Sequence, residues 1–175
     1  MRVFLTILIF ALFTGCGVKV HTVYDPTVDF SKYKNFCWMQ GCEFTFTGPA
    51  YLNTPEVKEK IQQAVVAEMA AKGILLDMER ADLLLDVRVT IEDEVISASQ
   101  RQEQPELYQR LFEGNNEIHL LKGTLVIDMA DKREARMVWR SVAVSYLDTY
   151  PELTQKNLQR GVRLVLKKFP PKKQH

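Results

Sequence analysis

The sequence predicts an α+β fold: a two-layer sandwich with a mostly antiparallel sheet of about five strands and two helices on one face. Three observations carry this expectation. Val57, Ile61, Ala64, Val65 and Met69 recur at the spacing of one helix face. Leu83, Leu85, Val87, Val89 and Ile91 alternate with Asp86, Arg88, Thr90 and Glu92, giving a strand with one apolar and one polar side. Residues 118–129 and 137–146 are β-rich runs joined by the polar turn Asp131-Lys132-Arg133-Glu134, the pattern of a hairpin. The polar side of the 83–92 strand is solvated or lines a wet groove. Helices then cover only the other side, which favours antiparallel pairing.

Along the chain, residues 18–24 alternate apolar and polar side chains with β-branched residues, and read as the first strand. Asp25-Pro26 ends it, residues 29–35 form a turn region, and Phe36-Cys37-Trp38-Met39 is a short second strand. Residues 40–53 read as a loop punctuated by Gly48-Pro49, with Phe44 and Phe46 in a brief extended arm. Asn53 or Thr54 caps the first helix, Pro55 suits its first turn, and Asn53 with Glu56 resembles a capping box. Gly73, after Lys72, is placed to end it. Residues 97–117 form a polar, glutamine-rich excursion, with a short helix possible over 105–112. In the hairpin, Leu125, Ile127 and Met129 share one face, and Val138, Val142, Val144 and Tyr146 share another. Alternation alone leaves the side of Trp139 open. The last helix is expected from about Pro151, capped by Asp148 or Thr149, with Leu158, Val162, Val165 and Phe169 at helical spacing. Gly161 weakens it by roughly 1 kcal/mol relative to Ala and is expected to mark close packing on the sheet. No internal repeat is present.

The amino terminus carries the sharpest motif. Arg2 is followed by an eleven-residue apolar run from Val3 to Phe13, then Thr14-Gly15-Cys16. The run is too short to span a bilayer comfortably and reads as a signal peptide. A cysteine straight after two small residues resembles the lipobox of bacterial lipoproteins, although Phe13 stands where that family usually has Leu. The resemblance implies cleavage before Cys16, a diacylglyceryl group on its sulfur, acylation of the new amino terminus (palmitate-type chains) and anchorage to a membrane. Two acyl chains suffice for stable anchoring, because each buried methylene contributes about 0.8 kcal/mol. Gly17 occupies the position where Asp would retain such a protein in the inner membrane, so the expected location is the periplasmic face of the outer membrane. The alternative is an ordinary signal peptide cut by the general peptidase. Either way, residues 1–15 are a leader and residues 16–175 a single domain, long enough to bury about 70% of its unfolded surface.

Loss of the leader removes Arg2 from a chain of formal charge +1, leaving the mature domain neutral. A neutral domain predicts no nucleic-acid partner. The basic tail from Lys167 to Lys173 reads as a solvated end. Cys37 and Cys42 remain after Cys16 is assigned to lipid. In an oxidising compartment, with Gly41 allowing a tight turn, they are candidates for a small disulfide ring. Two thiols do not complete a zinc site, and no cofactor or metal site is expected. The three histidines, His21, His119 and His175, lie in no ligand or nucleophile pattern, and the eight glycines form no phosphate loop. Asp82 with Asp86, and Glu92 with Glu94, share strand faces at spacings suited to acid–base chemistry, but an exposed face explains them equally. Tyr24, Phe30, Tyr33, Phe36 and Trp38 read as core aromatics, with a ligand platform as the second reading.

Several separated segments together resemble the DUF4136 lipoproteins. They are Tyr24-Asp25-Pro26, the run from Asp29 to Phe36 with Trp38, Ala71-Lys72-Gly73, Ala81-Asp82-Leu83-Leu84, Gly123 to Asp128, Asp131, Val138-Trp139-Arg140 and Lys168-Phe169-Pro170. Ser141 departs from the glycine common there, and the Cys37/Cys42 pair is a second departure. The resemblance implies an α/β sandwich and an envelope lipoprotein, and brings no catalytic residues. The expected function is therefore a non-enzymatic binding or structural module, tethered to the membrane by its lipid and engaging an envelope protein, with residues 40–53 and 97–117 as contact loops. The alternative is a small-molecule or glycan binder with weak hydrolytic activity on the Asp86/Arg88/Thr90/Glu92 face.

Overall fold

A computed structural model describes residues 18–39, 44–97 and 117–171. Its elements are β1 (Lys19–Tyr24), β2 (Asn35–Trp38), β3 (Thr45–Thr47), α1 (Pro55–Ala70), β4 (Leu75–Leu76), β5 (Leu83–Ser97), β6 (Glu117–Asp131), β7 (Arg136–Leu147) and α2 (Gln155–Val165). The strands form one seven-stranded sheet in the order β1-β7-β6-β5-β2-β4, and β3 also pairs with β5. β5 and β6 pair antiparallel over their full fifteen residues, from Leu83 opposite Asp131 to Ser97 opposite Glu117. β7 and β1 extend this antiparallel half. The α+β sandwich is thus as expected, with two additions. Among the described residues strands number seven, because Phe46 sits at the centre of a true strand just after Phe44, and two residues after α1 form β4. The pairings of β2 and β3 with β5, and of β4 with β2, are parallel. A helical crossover through α1 joins β3 to β5, and such a connection produces parallel neighbours.

The apolar stripe of α1 packs on one face of this sheet. Val57, Ile61, Ala64, Val65 and Met69 are all buried against Leu83, Leu85, Val87, Ile127 and Met129. Thr54, rather than Asn53, caps α1: its hydroxyl accepts from the Val57 N–H. The Asn53 side chain donates to the Phe46 carbonyl instead, pinning β3 to the helix start. At the other end Gly73 has φ +79°, and the Ile74 N–H reaches back to the Met69 carbonyl at 3.1 Å, a left-handed helix stop that glycine takes without strain. A buried charge joins the helices: Glu68 of α1 accepts from Arg163 at 2.8 and 3.0 Å and from Gln159 at 3.2 Å. The Arg163 guanidinium outweighs burial and holds the Glu68 carboxyl below its ordinary range.

α2 begins at Gln155, capped by Thr154, four residues later than the sequence suggested. Pro151 disfavours helical backbone at Tyr150, and the chain instead runs extended across the end of the sheet. The side of Trp139 is settled by a bulge. Met129 faces Trp139 but Ala130 faces Met137, so Val138 is the extra residue of β7. Val138 and Trp139 are both buried, whereas Val142, Val144 and Tyr146 lie half-buried on the outer face. Strict alternation had grouped Val138 with those three; the bulge removes it. The early aromatics are core residues: Phe30, Tyr33, Phe36 and Trp38 are buried, and Phe30 makes edge contacts with Tyr24, Tyr33 and Phe169 at 5.9–6.3 Å between ring centres. Trp139 meets Phe169 edge to face, with ring centres 5.3 Å apart.

Asp131 ties this aromatic end together. Its buried carboxylate accepts from the Tyr33 hydroxyl at 2.9 Å, from Lys32 at 2.8 Å and from the Arg133 and Glu134 N–H groups at 2.9 and 3.0 Å. The carboxylate so placed fixes the β6–β7 turn and docks the segment before β2 on it. Burial by itself pushes the Asp131 carboxyl up; Lys32 and the other donors outweigh it and hold the group well below the usual carboxylate range. Burial and the same carboxylate push the Tyr33 phenol up to about 12. The turn ends on Ala135 at φ +50°, a left-handed backbone that a Cβ disfavours.

Replacement Ala135→Gly is expected to raise unfolding stability by about 1 kcal/mol, read from the urea midpoint at unchanged slope. Replacement Asp131→Ala leaves a buried phenol and two turn N–H groups unpaired and is expected to cost about 3 kcal/mol. The depressed Asp131 carboxyl adds stability that is complete above the unfolded pKa of about 3.9 and is lost as pH falls below it. The stability of Asp131→Asn is therefore expected to fall less steeply than that of the wild type below about pH 4, followed by urea titration at each pH.

Candidate functional site

The two layers differ in length. At about 3.3 Å per residue β5 and β6 extend about 50 Å, whereas α1 covers about 24 Å and α2 about 17 Å. Helices cannot cover the whole apolar face of such a sheet. Toward the uncovered end of the sheet a groove of about 970 Å³ remains between the helices and the strands. Its floor is Val18, Val89, Ile91, Leu125 and Ala143, its roof Val57, Ile61, Leu158 and Val162, and its side wall Pro151 and Leu153 of the segment leading into α2.

Small residues keep the groove open. Gly161 sits in its roof, and a Cβ there would meet nothing within 4 Å. The expectation that Gly161 marks close packing is therefore corrected: the glycine faces unfilled space. Gly123 sits in the floor, where a Cβ would come within 3.1 Å of Leu147. The rim is polar, with Asp148, Glu152, Asn157 and Arg160. Tyr51 and Tyr150 stack at 5.8 Å, and the Tyr51 hydroxyl donates to the Thr149 carbonyl at 2.7 Å, which braces the side wall against the loop before α1. Among the described residues the lining includes no histidine, cysteine or lysine. Ser145 contributes a hydroxyl to the lining, whereas Thr124 pairs with Thr90 and shares its face, so its side chain points away from the groove. Such a cavity can hold an apolar chain.

The polar strand face lies on the opposite side of the sheet. Asp86, Asp128 and Arg140 stand in one rung across β5, β6 and β7. Asp128 accepts from Arg88 at 2.5 Å and from Arg140 at 2.5 and 2.7 Å, and Arg88 Nε lies 3.3 Å from Asp86. The Asp128 carboxylate raises the pKa of Arg140 further. The charges of Asp86 and Arg88 are thus spent within the sheet. The other proposed acids are scattered. Asp82 precedes β5 and accepts from the Lys34 and Asn35 N–H groups, Glu92 is exposed, and Glu94 lies 3.5 Å from Lys122. His21 and His119 are exposed on β1 and β6. Ser141, the departure noted in the sequence, is buried and bonds Thr22 at 3.0 Å, joining β7 to β1.

Cys16, Cys42, His175 and the expected helix over 105–112 lie outside the described residues, as do most of the expected contact loop 97–117 and residues 40–43 of the loop 40–53. Cys37 is buried in β2. Among the described residues no group of His, Cys, Asp and Glu is arranged to hold a metal ion, and no helix is long and apolar enough to cross a membrane. Sequence reasoning missed the groove. Its signals were Gly123 and Gly161 within otherwise regular elements, and strand runs longer than the helices.

Solved structures share this fold at low identity. A DUF4136 family protein from Bacteroides thetaiotaomicron is 18% identical, with a TM-score of 0.54 over 87% of this chain and 96% of that one. A PDZ domain protein from Parabacteroides distasonis is 17% identical, with a TM-score of 0.54 over 91% of this chain; the match spans only 36% of that protein. The PelC dodecamer from Paraburkholderia phytofirmans is 11% identical, with a TM-score of 0.50 over 85% of this chain and 95% of that one. No curated protein matches the chain. A family model, described as a domain of unknown function (DUF4136), matches residues 20–171, nearly all of the domain, and the chain belongs to that family.

Proposed function

We propose that this protein is an envelope lipoprotein, anchored through Cys16 at the periplasmic face of the outer membrane, whose domain is a non-enzymatic binding module for an apolar chain. The groove is the observation that carries the reading. It has the size of a ligand site and a floor and roof of aliphatic side chains, with charged groups at its rim. That aliphatic lining favours binding over chemistry. The glycan reading loses its support on the opposite face, where Asp86 and Arg88 are already engaged with Asp128 and with each other. The leader and Thr14-Gly15-Cys16 support the anchor.

Two measurements test this. Cys16→Ser is expected to move the protein from the membrane fraction to the soluble periplasmic fraction; a variant still membrane-bound after a salt wash would sink the anchor. A photo-crosslinking residue at Leu158, in the groove, is expected to capture an apolar chain in intact cells. The same residue at Thr90, on the opposite face, is expected to capture none. Equal capture at both positions would remove the groove as the site.

A further inference from the structure

This inference rests on the anchor at Cys16 and on the groove as a site for apolar chains. The geometry points to the occupant of the groove: one acyl chain carried by Cys16 of the same molecule.

Four observations converge on it. The first is position. Lys19 of β1 pairs with Val144, Val144 with Thr124, and Thr124 with Thr90; this rung faces outward, its neighbours Val18, Ala143, Leu125, Val89 and Ile91 face the groove, and the start of β1 therefore lies level with the floor. Val18, one residue earlier, itself lines the groove and packs on the core. Cys16 is two positions before Val18, a span of at most about 7 Å. An acyl chain on Cys16 is therefore tethered at the groove mouth. A tether that short gives it a high effective concentration against any free competitor.

The second observation is charge. A free fatty acid would bring a carboxylate to a rim whose charged groups are Asp148, Glu152 and Arg160, two acids against one base. A chain joined to Cys16 by an ester or amide brings no charge. The third is space. Gly161 leaves open volume directly above the floor, on a helix where alanine would be the more stable residue. The fourth is number. A fully processed lipobox cysteine carries a diacylglyceryl group and an amide-linked chain, and two chains suffice to hold a protein in a membrane. One chain is available to the protein itself. In the tethered protein the groove is therefore filled from within, and an external apolar chain must displace it.

The test uses the full-length protein matured in cells, with the photo-crosslinker at Leu158. After irradiation and trypsin digestion, the peptide of residues 157–160 is expected joined to the lipopeptide of residues 16–19, seen by mass spectrometry. Crosslinks to free membrane lipids in place of that adduct would overturn the inference, as would no adduct in folded protein. A second measurement separates this from failure of the underlying reading. Soluble Cys16→Ser, whose groove lacks the tethered chain, is expected to bind 11-dansylundecanoic acid with a rise in fluorescence. Adding Gly161→Phe is expected to weaken that binding at least tenfold, while Gly161→Ala keeps both the fold and the binding. If the dye does not bind Cys16→Ser, the groove is not an acyl site and both readings fall. If it binds but the intramolecular adduct is missing, only the self-occupancy falls. If the 16–19 peptide carries no lipid, the anchor falls first, and this inference with it.

Discussion

Everything in this fold hangs on one ladder, the full-length antiparallel pairing of β5 and β6. Because side chains alternate along a strand, its fifteen-residue register assigns each residue to a layer. Leu83, Leu85 and Val87 face the helices, while Asp86 and Arg88 face away. β7 and β1 continue the antiparallel half, and β2 and β3 attach in parallel along the free edge of β5. The same ladder creates the problem that the groove answers. Strands gain length twice as fast per residue as helices, so two helices of ordinary size leave part of a long sheet bare.

The sandwich has two unlike ends. One is sealed by large aromatics, Phe30, Trp139 and Phe169, and by the Asp131 carboxylate that serves both a hairpin turn and the approach to β2. The other is built from small residues, Gly123, Ala143, Ser145 and Gly161, around unfilled volume. Charged groups follow the same division of labour. Glu68 and Asp131 hold elements to each other, and Asp128 neutralises the arginines of the outer face. None of the three is aimed at a ligand.

Much of this was legible from residue order. The stripe of α1, its glycine stop at Gly73, the two-faced strand from Leu83 and the hairpin all follow from local periodicity, which short-range sterics enforce. What was not legible depends on partners distant in sequence. β4 is too short to show a period and exists because β2 lies beside it. The side of Trp139 is decided by a one-residue bulge, which reverses the alternation that sequence reading relies on. The late start of α2 reflects where the chain must cross the sheet end. The groove is the clearest case. A glycine in a helix looks the same in sequence whether it touches a neighbour or faces empty space, and only the packing of β6 and β7 against α2 decides between them.

That empty space has a consequence for motion. α2 is short, carries a flexible glycine at its middle, and meets the sheet over Val162 and Val165 while its first turns overlie the groove. Local opening free energy scales with the apolar contact an element makes. The amino-terminal half of α2 is therefore the least protected part of the helical layer, and its amides are the first there to exchange with solvent. Gln155 and Gln159 tie that half to α1 by single neutral donors, whereas Arg163 holds the second half through two charged hydrogen bonds to Glu68. The part of the helical layer that opens most readily is thus the part that lies over the groove.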